Sequence, residues 1–173
     1  MTPAVRIEPL ARRHAPAVQR LAADPRIAAT TLLPDPYPPD GAAHYAADAE
    51  AARAEGTAYS FAVLAGDTLV GACGLKEVHD GQAELGYWIG VPFWGRGYAT
   101  EAARLVAAFG FEALGLARIT AHTLARNPSS ARVLEKAGFR LVGREKNPFA
   151  KWAPDDVVLR YLLERPPPDA RGS

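Results

Sequence analysis

Phe93-Trp94-Gly95-Arg96-Gly97-Tyr98-Ala99-Thr100-Glu101-Ala102 is a glycine-broken turn running straight into an amphipathic helix. A helix start of this kind presents several backbone N–H groups without intrahelical partners, together with the positive end of the helix dipole. It therefore suits an anion such as a pyrophosphate. Upstream, Glu84-Leu85-Gly86-Tyr87-Trp88-Ile89-Gly90-Val91 reads as a strand delivering the chain to the turn. Downstream, Ala102, Leu105, Val106, Phe109 and Ala113 recur at helical spacing, with Glu101, Arg104 and Glu112 on the other side. That helix is expected to cover a sheet with one face. Taken alone, the turn is also compatible with a plain strand-to-helix connection in which glycine permits positive φ.

Outward from this unit the elements alternate. Val5-Arg6-Ile7 is a short strand, followed by a helical stretch in which Leu10, Val18 and Leu21 share a face and Pro16 sits in the first turn. Leu32 to Asp40 is a proline-dense loop whose low conformational entropy suits an ordered wall. Asp40 is placed to cap an alanine-rich helix that runs to about Glu55 and closes at Gly56. Strands are expected at Tyr59–Leu64, Leu69–Val78 and Gln82–Ile89, with turns at Gly66-Asp67 and His79-Asp80-Gly81. Gly115 ends the helix after the glycine turn, and Arg118–Thr123 is a further strand. Asn127-Pro128 opens a short helix closed by Gly138, and Phe139–Glu145 and Asp156–Leu163 complete the set. The order β-α-α-β-β-β-α-β-α-β-β predicts one mixed α/β domain over 1–165. Residues 166–173 are read as a disordered proline-led tail.

Composition narrows the function. With 49% hydrophobic and 23% charged residues over 173 positions, the chain can bury one real core. A net charge of +1 gives no global case for nucleic acid or an anionic membrane, although a local basic cavity would not show in the total. A single cysteine, Cys73, excludes an intrachain disulfide. Arg6, Glu8, Arg12 and Arg13 stand where a secretory apolar core would lie, and no apolar run approaches the ~20 residues of a membrane span. A cytoplasmic location is the resulting expectation. His14, His44 and His79 are scattered, away from cysteines or carboxylates at ligand spacing, so no metal site is expected.

The segment Glu84–Ala102 resembles the acyl-CoA-binding signature of the GNAT superfamily of N-acetyltransferases, and most of all its RimJ/RimL branch, which acetylates protein N-termini. The resemblance runs from about Val5 to Leu163. It implies a central, mostly antiparallel twisted sheet, splayed between the fourth and fifth strands, with helices on both faces. It also implies acetyl-CoA as cosubstrate and no metal. The family's phosphate motif falls on Trp94-Gly95-Arg96-Gly97-Tyr98-Ala99, with tryptophan a departure at the first position. The backbone from Gly95 through Arg96, Gly97, Tyr98 and Ala99 to Thr100 is then the pyrophosphate cradle, and Arg96 can add a charge-assisted bond. Ile89-Gly90-Val91 would offer a splayed backbone edge to the pantetheine arm, and an N–H there is the candidate oxyanion donor.

Asn127-Pro128-Ser129-Ser130-Ala131-Arg132-Val133-Leu134-Glu135-Lys136-Ala137-Gly138-Phe139 matches the superfamily's late-helix motif. Capping accounts for Asn127 and helix-start preference for Ser130 without any ligand. The resemblance adds that Asn127 touches the cofactor and that Ser130 lies near the thioester sulfur, ready to protonate the departing thiolate. Glu84 sits mid-strand, where glutamate is disfavoured. Alternation groups it with Gln82, Gly86 and Trp88 on a substrate-facing side, with Ala83, Leu85, Tyr87 and Ile89 on the core side. Glu84 is therefore the candidate general base, direct or through water, with a solvated carboxylate as the alternative. His122 on the facing strand is a second candidate base, or else a packing histidine. Cys73 is read as a small buried residue, which favours direct attack in a ternary complex over an acetyl-enzyme.

The acceptor stays open between a protein N-terminal α-amine and a small amine such as a polyamine, amino acid or aminoglycoside. The carboxylates of the Asp35/Asp40 loop and the Asp155-Asp156 turn are available to the second class. A non-catalytic acyl-CoA-binding module is the third reading, and a homodimer is compatible with all of them.

Overall fold

Residues 4–168 are described by a computed structural model of the chain. Seven strands form one sheet: β1 (Val5–Pro9), β2 (Tyr59–Ala65), β3 (Thr68–His79), β4 (Gln82–Ile89), β5 (Arg118–Leu124), β6 (Arg140–Lys146) and β7 (Val157–Glu164). Their order across the sheet is β1-β2-β3-β4-β5-β7-β6, and every neighbouring pair is antiparallel except β4 and β5. That parallel pair is the splay. Its register covers Gln82–Glu84 against Arg118–Thr120 and then stops. Meanwhile β4 continues on β3 to Ile89↔Gly71, and β5 continues on β7 to Leu124↔Val158. The two halves of the sheet diverge beyond Glu84.

Helices cover both faces. On one face α4 (Tyr98–Glu112) buries Ala102, Ala103, Val106, Ala107, Gly110 and Phe111 against the sheet. Gly110 is needed for that approach, because a Cβ there would come within 2.9 Å of Leu75 Cδ1. The expected stripe shifts accordingly: Leu105 lies at the edge of the contact and is exposed, while Ala103 and Ala107 take its place. The other face carries α1 (Ala15–Ala22), α2 (Pro25–Ala28) and α3 (Gly41–Glu55), which pack with Leu10, Ala62, Leu64, Ala72 and Trp88 into a second core. Leu10 precedes α1 but joins its apolar face. Trp88 is therefore buried in packing, which corrects the reading that only the Ala83/Leu85/Ile89 side of β4 faces a core. α2 was not anticipated, although Asp24-Pro25 signals it: the Asp24 carboxylate accepts from the Arg26 N–H and Pro25 occupies the first turn. Asp40 precedes α3 without a side-chain cap; its carboxylate contacts His44. Residues 166–168 are exposed and without regular structure, and the rest of the proline-led tail lies outside the described residues.

α5 (Pro128–Lys136) lies across the divergence and is held by one fully buried side chain, Leu134. Leu134→Ala is expected to lower stability by about 3 kcal/mol, through lost transfer energy plus the cavity left behind. Urea unfolding checks this: the midpoint should fall with the m-value unchanged.

Candidate active site

The divergence of β4 from β5 leaves one edge of β4 unpaired. Gly90 N–H donates to Val70 O at 2.8 Å, so Gly90 faces β3. Alternation then turns the backbone groups of Tyr87 and Ile89 toward the gap. The expectation for Ile89-Gly90-Val91 is corrected in two respects. The Gly90 N–H already has a sheet partner, and the Ile89 carbonyl accepts the Trp94 indole N–H at 2.7 Å. What remains turned to the gap is the Ile89 N–H. The unusual Trp94 thus ties strand end to turn through its indole N–H, while its ring stays half exposed.

Beyond Trp94, Gly95 (φ +77°) and Gly97 (φ +79°) take left-handed conformations, and α4 begins at Tyr98. Among the described residues, the N–H groups from Gly95 to Thr100 have no backbone acceptor. The side chains of Tyr98 and Thr100 are buried in α4 packing. This turn walls a cavity of about 580 Å³. Arg26, Arg96, Arg132 and Lys136 line it, with no aspartate or glutamate among the described residues. Arg26 is engaged by the Asp24 carboxylate, whose hydrogen bonds and charge raise the guanidinium's pKa. Sequence reasoning missed Arg26, Arg132 and Lys136. The last two had a readable signal, since they stand four apart on α5 and share a face.

Asn127 and Ser130 reach the same cavity from the start of α5. Asn127 holds the N-cap position without a side-chain capping bond, so capping does not account for it. Ser130 Oγ lies 2.5 Å from the Tyr87 hydroxyl. Burial pushes the Tyr87 phenol up to about 12, against a smaller opposing effect of the Ser130 hydrogen bond, so it stays protonated at neutral pH. Tyr87 was assigned to the core, and no local pattern exposes a contact across 43 residues.

A second cavity, of about 390 Å³, adjoins the first, and Thr30, Thr31, Tyr87, Trp88 and Ser130 border both. Glu84 and His122 stand in its wall, hydrogen-bonded through Glu84 Oε1 and His122 Nδ1. The His122 ring stacks on Phe149 at 4.6 Å between centroids, with Trp152 edge-on at 6.2 Å. His122 thus packs on two aromatic rings and also pairs with Glu84 at the cavity wall. Burial raises the Glu84 pKa, but the His122 hydrogen bond and the charges of Lys76, His122 and Arg160 outweigh it, leaving the carboxyl below its ordinary value. A depressed folded-state pKa means that Glu84 adds stability above its unfolded pKa and loses it as pH falls.

The loop carrying Phe149 and Trp152 is clamped to the segment after α2 by Lys151. Its ammonium donates to the Ala28 carbonyl at 2.5 Å, to Thr31 at 2.7 Å and to Leu33. Cys73 borders the second cavity but is buried, and burial pushes its thiol far above the ordinary range, which disfavours a nucleophilic thiolate. The remaining histidines each contact one carboxylate, His14 with Glu8, His44 with Asp40 and His79 with Asp80, which is a pair and not a ligand set. Among the described residues no three His, Cys, Asp or Glu side chains converge on a metal position, and no helix is long and apolar enough to cross a membrane.

Comparison with known proteins bears on the family and the fold. The chain is 34% identical over 116 residues to the uncharacterized N-acetyltransferase p20 of Bacillus licheniformis, covering 64% of this chain and 65% of that protein. Other curated relatives are matched over about half their length, as with 44% and 54% of two Bacillus subtilis proteins. Among solved structures, the ribosomal-protein acetyltransferase RimL in complex with coenzyme A superposes with a TM-score of 0.86 at 15% identity, over 92% of this chain and 93% of that one. The spermidine N-acetyltransferase of Vibrio cholerae, with coenzyme A and spermine, gives 0.80 at 20% identity over 92% and 95%. These two likenesses speak to the fold. The family described as acetyltransferase (GNAT) domain matches residues 4–140, and the chain belongs to that family.

Proposed function

We propose that this chain is an acetyl-CoA-dependent N-acetyltransferase of the RimJ/RimL kind, transferring acetyl to a protein N-terminal α-amine in a ternary complex. The observation that carries the reading is the meeting of two unlike cavities at Tyr87, Trp88 and Ser130. The first suits a phosphorylated cosubstrate: the unpartnered N–H groups of the Gly95–Thr100 turn face phosphate, with Arg96, Arg132 and Lys136 as counter-charges. The Ile89 N–H aims at the position where negative charge develops on the acetyl oxygen. Glu84 and His122 stand on the acceptor side.

Charge discriminates between acceptors. A polyamine site needs several carboxylates, but among the described residues Glu84 is the only one bordering the second cavity, and it is engaged by His122 with Lys76 opposite on β3. Asp35, Asp40, Asp155 and Asp156 do not border it. Asp156 instead holds Arg126 at 3.1 Å. The buried indole N–H groups of Trp88 and Trp152, at the same cavity, have no partner among the described residues. Chemistry points the same way. An α-amine with pKa near 8 is about a tenth neutral at pH 7, whereas a lysine amine near 10.4 requires about 3 kcal/mol more to deprotonate.

Thiol release from acetyl-CoA tests the reading with three acceptors: an alanine- or serine-started peptide, the same peptide with its N-terminus blocked, and spermidine. Release only with the free peptide is the expected result. Release with spermidine alone reassigns the acceptor as a small amine, and none with any acceptor points to a non-catalytic acyl-CoA-binding module.

A further inference from the structure

We infer that His122 Nε2, and not the Glu84 carboxylate, accepts the proton of the incoming amine, with Glu84 acting as the positioning residue that fixes the imidazole. The inference rests on the acyl transfer proposed above and deepens it.

The geometry sets the roles. Glu84 Oε1 meets Nδ1 of His122. An ionised carboxylate only accepts hydrogen bonds, so Nδ1 carries the proton and the neutral ring has its lone pair on Nε2. Among the described residues Nε2 has no hydrogen-bond partner. Stacking on Phe149 and the edge of Trp152 fix the ring plane, so the ring is held on both its nitrogen side and its face. The charged groups facing the pair are Lys76, opposite Glu84 on β3, and Arg160, opposite His122 on β7. Both favour the ionised form of Glu84, which lies below its ordinary pKa and is a weak proton acceptor near neutrality. A carboxylate that orients an imidazole and keeps one tautomer, without taking the proton itself, is a recurring catalytic arrangement.

The step balances. The amine nitrogen forms a C–N bond to the acetyl carbon, and the C–S bond breaks with its electron pair leaving on sulfur. The amine proton passes to His122 Nε2. The proton taken by His122 is released to bulk water, and one proton from bulk water reaches the thiolate through the Ser130–Tyr87 hydroxyl pair, so that the sulfur leaves as thiol. Amine and thioester become amide and thiol, with no other reactant.

The pH dependence of kcat/KM tests this in the wild-type protein, without relying on any variant to fold. An imidazole base and the incoming α-amine must both be deprotonated for the reaction. The logarithm of kcat/KM should therefore rise with a slope approaching two on the acid limb of the profile. If Glu84 were the base, the amine alone would limit the rate there and the slope would stay at one down to about pH 5. His122→Gln is expected to lower kcat by about 10²- to 10³-fold and reduce the slope to one. Glu84→Gln should also lower kcat but retain the slope of two, a result that a role as base would not give. Added imidazole should restore part of the turnover of His122→Gly. A wild-type slope of one, or a slope of two surviving in folded His122→Gln, overturns the inference. Turnover of spermidine instead of peptide would refute the acceptor assignment alone, with the slopes still judging His122. Inactivity of the wild type with every amine overturns both.

Discussion

Gly97→Val should abolish measurable acetyl-CoA binding while the chain stays folded. The substitution acts where the backbone itself is the proposed ligand. Gly97 holds φ +79° immediately before α4, next in line after Gly95 at +77°. A β-branched residue in that region costs about 1–3 kcal/mol, so the turn relaxes toward negative φ and its N–H groups lose their common direction. Each hydrogen bond to a charged group is worth about 1.5–3 kcal/mol, so losing two raises Kd by about 10²- to 10⁴-fold. Packing offers no competing explanation, because a Cβ at Gly97 meets no protein atom within 4 Å. Thermal unfolding with and without acetyl-CoA separates the two effects. Wild type should gain Tm with ligand. The variant should start a few degrees lower and gain nothing. A folded variant with wild-type affinity would mean that the pyrophosphate is held elsewhere.

The same turn shows why so much of the architecture was legible. Positive-φ glycines, a strand entering and an apolar stripe leaving are local properties, and β4 falls at Gln82–Ile89 as its alternation indicates. Gly56 and Gly138, both at positive φ, end their helices where the sequence places the stops. Failures of reading began where tertiary packing decides. Trp88 looked outward because alternation names two faces but cannot say that both are covered, and α1–α3 cover the second. Asn127 looked fully explained by capping, yet its side chain makes no cap bond. Glu84 was visible as a misplaced charge in a strand. His122 on the facing strand is legible as a second candidate base, but its pairing with Glu84 is not, because that contact depends on how far the parallel register runs before β4 and β5 part. The basic wall of the first cavity assembles Arg26, Arg96, Arg132 and Lys136 from three separate stretches of chain, so the net charge of +1 conceals it.

Removal of the Ser130 hydroxyl carries the second large effect. Ser130→Ala is expected to lower kcat by about 10²-fold with little change in the KM for acetyl-CoA, because donation to the departing sulfur matters only as the C–S bond breaks. The Tyr87 hydroxyl, 2.5 Å from Ser130 Oγ, keeps the serine hydrogen oriented toward its acceptor. Tyr87→Phe should therefore reproduce most of the loss. It should also cost about 1 kcal/mol of stability for a buried hydrogen bond. If the two hydroxyls act as one device, the double variant will be about as slow as the worse single one, since groups that work as a unit are strongly non-additive. Two independent donors would instead multiply their losses. Wild-type turnover in Ser130→Ala would reduce Ser130 to a helix-start residue and the Tyr87 contact to a tether between β4 and α5. The leaving thiolate would then draw its proton from water entering where the two cavities meet.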